Sequence, residues 1–254
     1  MADEQFPALF LKEIDGEVVS EITYLSAEKL PEGEVTVRVQ YSTVNYKDGM
    51  VMNGLGRLVR KYPHIPGIDF AGIVEVSKDN RYKPGDKVVL TGWHVGERFW
   101  GGYSGRANIR ADWLIPLPKD ISTKHAMAIG TAGLTSMLCI LALEKHGLKI
   151  GNGPVLVTGA SGGVGSIAVA ILSHLGYEVH ASTGKHTEHG FLEALGATKI
   201  ISREDQGSPQ NGPLNSEHWA GVIDTVGSST LANALSQMRY GCSIAACGLA
   251  GGIK

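Results

Sequence analysis

The chain has 254 residues, of which 43% are hydrophobic and 19% are charged, and its formal net charge is −2. This length and composition predict a globular protein of one or two domains, and the small net charge argues against the basic surfaces that bind nucleic acid or anionic membranes. No apolar run reaches the ~20 residues that a membrane span needs, and the acidic start lacks the order of a signal peptide. The three cysteines are too few and too scattered for a disulfide framework, which favours a reducing cytoplasm. We therefore expect a cytoplasmic protein that binds neither nucleic acid nor a membrane.

Residues 6–120 are predicted to form mostly β-strands. The stretch "VTVRVQYS" (35–42) alternates apolar and polar residues, which is the period of a half-buried strand. "FAGIVEVS" (70–77) and "DKVVLTGW" (86–93) are short β-branched runs bounded by turn-forming residues. "WLIPLP" (113–118) contains two prolines, which predicts an edge strand or an exit from the sheet and not a central strand, because proline cannot donate to a ladder.

The pattern changes near residue 122. The apolar stretch 122–147 has helical spacing, begins with Ser122 or Thr123 as its N-cap, and is interrupted by Gly130 and Gly133, so we expect two helices there. Strands and helices then alternate, which predicts a parallel sheet with helices on both faces. The predicted strands are 155–159, 177–183, 198–202, 221–227 and 242–248, with an exposed loop at 204–217.

The run "VTGASGGVGS" (157–166) lies between the first of these strands and the following helix. This is where a dinucleotide-binding fingerprint occurs, and here Ala160 takes the place of the first glycine. Gly162 would let the backbone approach a pyrophosphate, and Gly165 would let helix and strand pack closely. A tight turn without a ligand is the alternative. The candidate cofactor contacts in this turn are Ala160, Ser161, Gly162, Gly163, Val164 and Gly165.

The end of the second strand predicts which dinucleotide binds. An NAD site has an acidic residue about 20 positions past the glycines, whereas this chain has Ser182, Thr183 and Lys185. Hydroxyl groups and a cation suit a 2′-phosphate, and Arg203 after the third strand can reach the same group. We therefore predict NADPH as the cofactor, with ordinary solvated loop residues as the alternative. Leu249, after the fifth strand, is a further candidate contact.

Several motifs occur in the order found in one protein family. The chain resembles the medium-chain dehydrogenase/reductase superfamily, and within it a zinc-free bacterial branch of acrylyl-CoA reductases and quinone oxidoreductases. The motifs are "NYKD", "PGIDFAGIV", "GDKVVLTGW", "GERFWGGYS", "DWLIPLP", "AMAIGTAG", "VLVTGASGGVGS" and "RYGCSIAACGLAGG".

The resemblance implies an α/β protein with two domains. Residues 1–121 would form a GroES-like β-rich catalytic domain, and residues 122–254 a Rossmann doubly wound parallel sheet. Because we count five strands where that sheet has six, we expect the Rossmann domain to be C-terminally incomplete, without its sixth strand and a return segment. The resemblance also implies a homo-oligomer, a dimer.

We predict that the protein holds no metal. Zinc enzymes of the superfamily have a histidine ligand in the stretch where this chain has Ile68 and Asp69, and the first 138 residues contain no cysteine. Cys139, Cys242 and Cys247 fall on apolar runs and are expected to be small buried hydrophobic residues. The scattered histidines His64, His94, His125 and His146 are expected to be ordinary surface or core residues.

Hydride addition to an activated double bond fits a metal-free site better than alcohol oxidation does. Charge then develops on a carbonyl oxygen and needs hydrogen-bond donors. "NYKD" offers Asn45 and Tyr46 as donors, with Tyr46 also a possible proton source, and the resemblance points to Asn45 and Asp69 as active-site residues. Asp69 would orient its neighbours. The alternatives are a core aromatic for Tyr46 and a structural turn cap for Asp69.

Other charged residues have two interpretations each. Lys47 and Asp48 either serve the site or pair with each other on the surface. The basic segment with Arg57, Arg60 and Lys61 either receives the phosphates of a CoA ester or is a solvated loop.

Three functions remain open from the sequence. The first is NADPH-dependent reduction of a small-molecule enoyl-CoA, acrylyl-CoA, to propanoyl-CoA. The second is reduction of a quinone or another enone. The third is a non-catalytic NADPH-binding protein, which the polar "NYKD" segment and Asp69 disfavour.

Overall fold

A computed structural model describes residues 5–207 and 215–252. The chain divides into two compact units, residues 1–131 and 132–254. The division falls inside a long helix that begins directly after the predicted domain boundary at 121/122.

The first unit is built on antiparallel strands. Strands β1 (Phe6–Ile14) and β2 (Glu17–Leu25) form a hairpin. A second sheet contains β3 (Val35–Ser42), β4 (Asp69–Ser77), β5 (Lys87–Thr91), β6 (Arg106–Ile109) and β7 (Ile115–Pro116). Its strand order is β6-β3-β4-β5-β7. A short helix, α1 (Tyr46–Met52), follows β3. The predicted strands are confirmed, and the proline-containing one is a two-residue edge strand.

The β3–β4 pairing positions the polar residues of this unit. Ser42 lies opposite Phe70 at the end of the ladder, so the residues that follow β3 lie beside Asp69, the first residue of β4. Val37, Phe70, Val88 and Leu90 fill the core behind them. The candidate residues of "NYKD" and "PGIDFAG" therefore reach one corner of the sheet.

Helix α2 (Thr123–Lys145) is broken at Gly130, whose φ of 52° and ψ of −163° are not helical. The predicted interruption is confirmed at Gly130, while the helix continues through Gly133. Ser122 accepts a hydrogen bond from the His125 N–H at 3.1 Å and so caps the first turn.

The apolar character of α2 corrects one expectation. By length and composition it could cross a membrane, with a mean hydropathy of 1.9 over its most apolar window. We missed it because small polar residues and glycines interrupt the apolar run without lowering the mean very far. The signal is weak, since core helices of soluble proteins share it: Cys139, Ile140 and Leu143 are buried in the core.

The second unit contains a parallel sheet of β8 (Val155–Thr158), β9 (Val179–Thr183), β10 (Lys199–Ser202), β11 (Trp219–Asp224) and β12 (Met238–Ala246). Its strand order is β10-β9-β8-β11-β12, that is, 3-2-1-4-5 in chain order. This confirms the predicted doubly wound arrangement of five strands. The helices are α3 (Gly163–His174), α4 (His189–Ala194), α5 (Arg203–Gly207) and α6 (Ser228–Ser236).

The predicted loop at 204–217 begins differently from the prediction. Residues 203–207 form helix α5, and residues 208–214 lie outside the described ranges. Ser202 accepts a hydrogen bond from the Asp205 N–H at 3.0 Å, which starts the helix. Helix α5 therefore carries Arg203 at its first position, directly after β10.

Candidate active site and dinucleotide site

Asp69 is the centre of the polar corner in the first unit. Its side chain is fully buried, and one carboxylate oxygen accepts the Thr43 N–H at 3.2 Å and the Thr43 hydroxyl at 2.7 Å. The other accepts the N–H and hydroxyl of Thr131 at 2.9 and 2.7 Å. The non-helical backbone at Gly130 turns this N–H toward Asp69. With both oxygens occupied by donors, Asp69 is suited to orienting its neighbours rather than to taking a proton from a substrate.

Asn45, directly before helix α1, lies beside this carboxylate. Its Nδ2 donates to the Thr43 hydroxyl at 2.9 Å, to Asp48 at 3.3 Å and to Asp69 at 3.4 Å. Carboxylates only accept hydrogen bonds, so the amide nitrogen must face them and the amide carbonyl must face away. The structure thus brings Asn45 and Asp69 together. The Asn45 N–H groups, which the sequence interpretation assigned to a developing oxyanion, already donate to Thr43, Asp48 and Asp69.

Tyr46 stands apart from this network. Its side chain is 67% exposed, which excludes the alternative of a core aromatic. Within residues 5–207 and 215–252 no hydrogen bond engages its hydroxyl, so this O–H remains a free donor.

Asp48 is buried, which corrects the interpretation of Lys47 and Asp48 as a surface pair. Asp48 accepts the N–H groups of Asn45 and Ile68 at 2.9 and 3.0 Å, while Lys47 pairs with Glu97 at 3.0 Å. Position N3 of a helix turns back toward its N-terminus, which explains the inward direction of Asp48. Burial raises the pKa of Asp48, against the lowering effect of these hydrogen bonds.

Sequence reasoning missed Thr43, Tyr103 and Thr131 entirely. The Tyr103 hydroxyl donates to the Thr43 carbonyl at 2.9 Å, and its pKa is raised by burial first and then by the Asp48 charge. No sequence signal links these residues, because they come from three distant segments. The sequence could have indicated the role of Asp48, since Asn-x-x-Asp at a helix start has capping-box spacing.

The glycine turn of the second unit fits a dinucleotide. The residue with positive φ is Gly159 at 58°, and not Ala160, which is buried and donates its N–H to the Ser182 carbonyl at 3.0 Å. A Cβ on Gly165 would come within 2.4 Å of the Gly159 carbonyl oxygen, so this glycine is required for the approach of α3 to β8. A Cβ on Gly162 would meet only that oxygen, at 3.2 Å, which leaves open space beside the turn.

The start of α3 adds anion-binding groups to this space. Gly162 is the N-cap, and the first-turn N–H groups come from Gly163, Val164 and Gly165. First-turn N–H groups have no partner inside a helix and favour a phosphate.

The end of β9 brings together the residues predicted to select NADPH. The Thr183 hydroxyl hydrogen-bonds the Ser161 hydroxyl at 3.0 Å and accepts the Lys185 N–H at 3.1 Å. The Arg203 guanidinium packs over Gly184, where a Cβ would meet its Nε at 2.9 Å. Ser182 is buried beside them. Lys185 and Arg203 are exposed cations, and residues 182–185 carry no carboxylate, which fits a phosphorylated ribose.

Leu249 lies in the loop after β12. Its side chain is 58% exposed and borders Gly227, at the same carboxyl edge of the sheet as the glycine turn. Parallel sheets bind ligands at this edge.

The described residues contain no group of three histidine, cysteine or acidic side chains arranged to hold a metal. The cysteines correct a prediction, since Cys139 is buried and Cys242 half-buried but Cys247 is exposed. Cys247 follows the last residue of β12 and lies in a loop.

Comparisons with known proteins match both units. The alcohol dehydrogenase GroES-like domain matches residues 31–119, and the zinc-binding dehydrogenase domain matches residues 163–254. The acrylyl-CoA reductase AcuI of Ruegeria pomeroyi is 61% identical, covering 94% of this chain and 73% of that protein. The putative quinone oxidoreductase YhfP of Bacillus subtilis is 44% identical, covering 97% and 75%.

Solved structures extend the likeness to the fold. The Escherichia coli YhdH structure with bound NADPH has a TM-score of 0.94 and 48% identity, covering 97% of this chain and 76% of that one. The Salmonella enterica YhdH oxidoreductase in complex with NADP has a TM-score of 0.93 and 51% identity, covering 97% and 75%. The chain therefore belongs to the medium-chain dehydrogenase/reductase superfamily.

Proposed function

We propose that this chain reduces the carbon–carbon double bond of acrylyl-CoA to give propanoyl-CoA, with NADPH as the reductant. The 61% identity to a protein named acrylyl-CoA reductase supports the substrate. Two neighbours with bound NADP or NADPH support the cofactor. The observation that carries the reaction class is the Asp69 carboxylate, whose two oxygens already accept hydrogen bonds from Thr43 and Thr131 and so are not free to bind a metal ion.

When bound, NADPH supplies a hydride for the β-carbon of the thioester. The residues of this chain that would hold it are the first-turn N–H groups of α3 and the cluster of Ser161, Thr183, Lys185 and Arg203. The cluster offers hydroxyls and two cations to the 2′-phosphate, which a carboxylate would repel.

The reduction puts negative charge on the thioester oxygen, and a donor must stabilise it. Because the N–H groups of Asn45 are directed at Thr43, Asp48 and Asp69, the free hydroxyl of Tyr46 is the proposed donor and proton source. Asn45 presents its carbonyl oxygen and acts as an acceptor that orients substrate. Asp69 is a positioning residue that fixes Thr43 and Thr131.

We propose that the reaction needs no zinc. Ile68 has no donor atom, and both oxygens of Asp69 are filled by N–H and O–H groups, so neither side chain is free to bind a cation.

The basic segment after α1 is proposed to receive the phosphates of CoA. Arg57, Arg60 and Lys61 are exposed and form no ion pair with any part of the chain that the structure describes. Lys61 also lines a cavity of about 460 Å³ together with Arg98, Arg110 and Trp113.

Quinone reduction is the second candidate, favoured by the 44% identity to a protein named as a putative quinone oxidoreductase. Membership of the superfamily supports the proposal of a cytoplasmic homodimer. Analytical sedimentation would measure the oligomeric state.

The experiment compares NADPH oxidation with acryloyl-CoA, crotonyl-CoA and a benzoquinone at equal concentrations. We expect the highest kcat/KM with acryloyl-CoA, and a kcat about 10- to 10³-fold lower in Tyr46→Phe with unchanged NADPH affinity. Asn45→Ala is the comparison that tests the amide as donor. A benzoquinone preference would favour the second candidate, and NADPH binding without turnover of any of the three substrates would contradict the proposal.

A further inference from the structure

The cavity of about 460 Å³ in the first unit combines aromatic surface with positive charge. Phe99, Trp100 and Trp113 supply its aromatic lining. The ring centroids of Phe99 and Trp113 are 4.8 Å apart, and the Arg110 guanidinium lies 5.6 Å from the centre of the Trp113 ring. Phe99 is 46% exposed, so a planar ligand can stack on its ring without disturbing the core.

The charges around this cavity are unbalanced. Lys61, Arg98 and Arg110 line it, are exposed and form no ion pair with any residue that the structure describes. A fourth cation, Arg106, is already held in an ion pair. Among the described residues of the lining, Glu32 is the one acidic residue. The excess of uncompensated cations favours a ligand that carries several phosphate groups.

The loop that carries Arg98 and Phe99 is held in place by its own backbone. The N–H groups of Arg98 and Phe99 donate to the His94 carbonyl at 2.9 and 3.2 Å, and the Gly96 N–H donates to the Phe99 carbonyl at 2.8 Å. A Cβ on Gly96 would lie 2.7 Å from the Gly67 backbone, so the loop packs directly on the segment before strand β4. A ligand in the cavity thus meets a backbone that needs little ordering, which lowers the entropic cost of binding.

The same loop contacts helix α1, which carries the proposed proton donor Tyr46. Lys47 follows Tyr46, and its Nζ lies 3.0 Å from a carboxylate oxygen of Glu97. Glu97 directly precedes Arg98 in the chain. The wall of the cavity and Tyr46 are therefore carried by two segments in direct contact, so one long and flexible substrate can reach both.

We propose that this cavity binds the nucleotide end of CoA and so selects CoA thioesters over quinones, an inference that rests on the proposed function. The adenine ring stacks on Phe99 and Trp113, as bases do on aromatic side chains. Its amino group is a donor that suits the Glu32 carboxylate. The three free cations match the 3′-phosphate and the two phosphates of the diphosphate. A quinone carries no phosphate and gains nothing from these cations.

Calorimetric titration of the whole chain with CoA and with 3′-phospho-ADP, its nucleotide end, measures binding to this site. Saturating NADP⁺ is present, because the dinucleotide site could otherwise take the same nucleotide. We expect Arg110→Ala to raise both Kd values about 10- to 160-fold. Phe99→Leu, which keeps an apolar side chain but removes the ring, should raise them about 5- to 160-fold. Lys119→Ala, an exposed cation outside the cavity, is the matched control, and thermal unfolding checks that each variant is folded.

A truncated substrate separates this site from the reaction itself. Acryloyl-pantetheine carries the same thioester without the nucleotide. We expect a higher kcat/KM with acryloyl-CoA than with acryloyl-pantetheine in the wild type, and a fall of that ratio, through KM, in Arg110→Ala and Phe99→Leu. Folded variants that bind 3′-phospho-ADP and reduce acryloyl-CoA as the wild type does would overturn this site and leave the proposed reaction standing. A wild type that neither binds CoA nor reduces acryloyl-CoA would overturn both.

Discussion

A single buried carboxylate, Asp48, joins the start of helix α1 to strand β4. It accepts hydrogen bonds from the backbone N–H of Asn45 and from that of Ile68. Both contacts require a hydrogen-bond acceptor at position 48. Its burial raises its pKa, so the folded protein binds the Asp48 proton more tightly than the unfolded chain does. The stability that this protonation contributes is therefore present at acid pH and is lost as the pH rises through the folded-state pKa.

Asp48→Asn removes this titration and puts an N–H₂ group among N–H donors. We expect a loss of about 1–3 kcal/mol at neutral pH, because one of the two N–H donors loses its acceptor. The difference in free energy of unfolding between the wild type and Asp48→Asn should increase as the pH falls from the raised pKa of Asp48 toward its ordinary value of 3.8. Urea unfolding at several pH values measures it, with exposed Asp120→Asn as control. A difference independent of pH would contradict the assignment of the shift to Asp48.

Lys185 tests the selection of the cofactor. Lys185→Ala should weaken NADPH binding by about 1.5–3 kcal/mol, or about 10- to 160-fold in Kd, if the side chain makes a charge-assisted bond to the 2′-phosphate. NADH binding should hardly change. Calorimetric titration with both cofactors measures this, and Lys199→Ala, at the amino end of β10, is the matched control. Equal losses for NADPH and NADH would place the 2′-phosphate elsewhere.

Among the elements, the contact between helix α3 and strand β8 involves two glycines with different roles. Gly165 is needed for the packing of α3 on β8, and we propose that Gly162 is needed for the approach of the cofactor. Gly165→Val would drive a side chain into the Gly159 carbonyl and the Ala160 backbone, at 2.4 and 2.6 Å for Cβ alone. We expect it to destabilise the protein by about 1–3 kcal/mol and to abolish NADPH binding. Gly162→Val meets only one oxygen at 3.2 Å, so it should keep its Tm and lose NADPH.

Thermal unfolding and NADPH titration of the two glycine variants distinguish these effects. Gly190→Ala on α4 is the control, because nothing lies within 4 Å of its added Cβ. Normal NADPH binding by a folded Gly162→Val variant would show that the pyrophosphate does not approach this turn.

For the whole molecule, the side chains of Ile68 and Asp69 predict the metal content. Purified protein should contain far less than one zinc per chain, and prolonged chelation should leave kcat and Tm unchanged. The reason is that Ile68 has no donor atom and the oxygens of Asp69 accept from Thr43 and Thr131. Elemental analysis before and after chelation measures this. One tightly held zinc per chain, with activity lost on its removal, would refute it.

Local patterns were enough to predict most of the architecture. Alternation predicted β3, and strand–helix alternation with a glycine turn predicted the parallel sheet and its five strands. Both rest on residues close in sequence, whose period decides which face is buried. The same locality explains the successful prediction of a break at Gly130.

Contacts between distant segments lay beyond such patterns. Thr131 meets Asp69 only because a break in a helix turns its N–H toward the start of a strand. Asn45 was expected to donate to substrate, but two buried carboxylates take its amide protons. Each of these pairings depends on which segments the packed core brings together, and hydrophobic period carries no information about that choice.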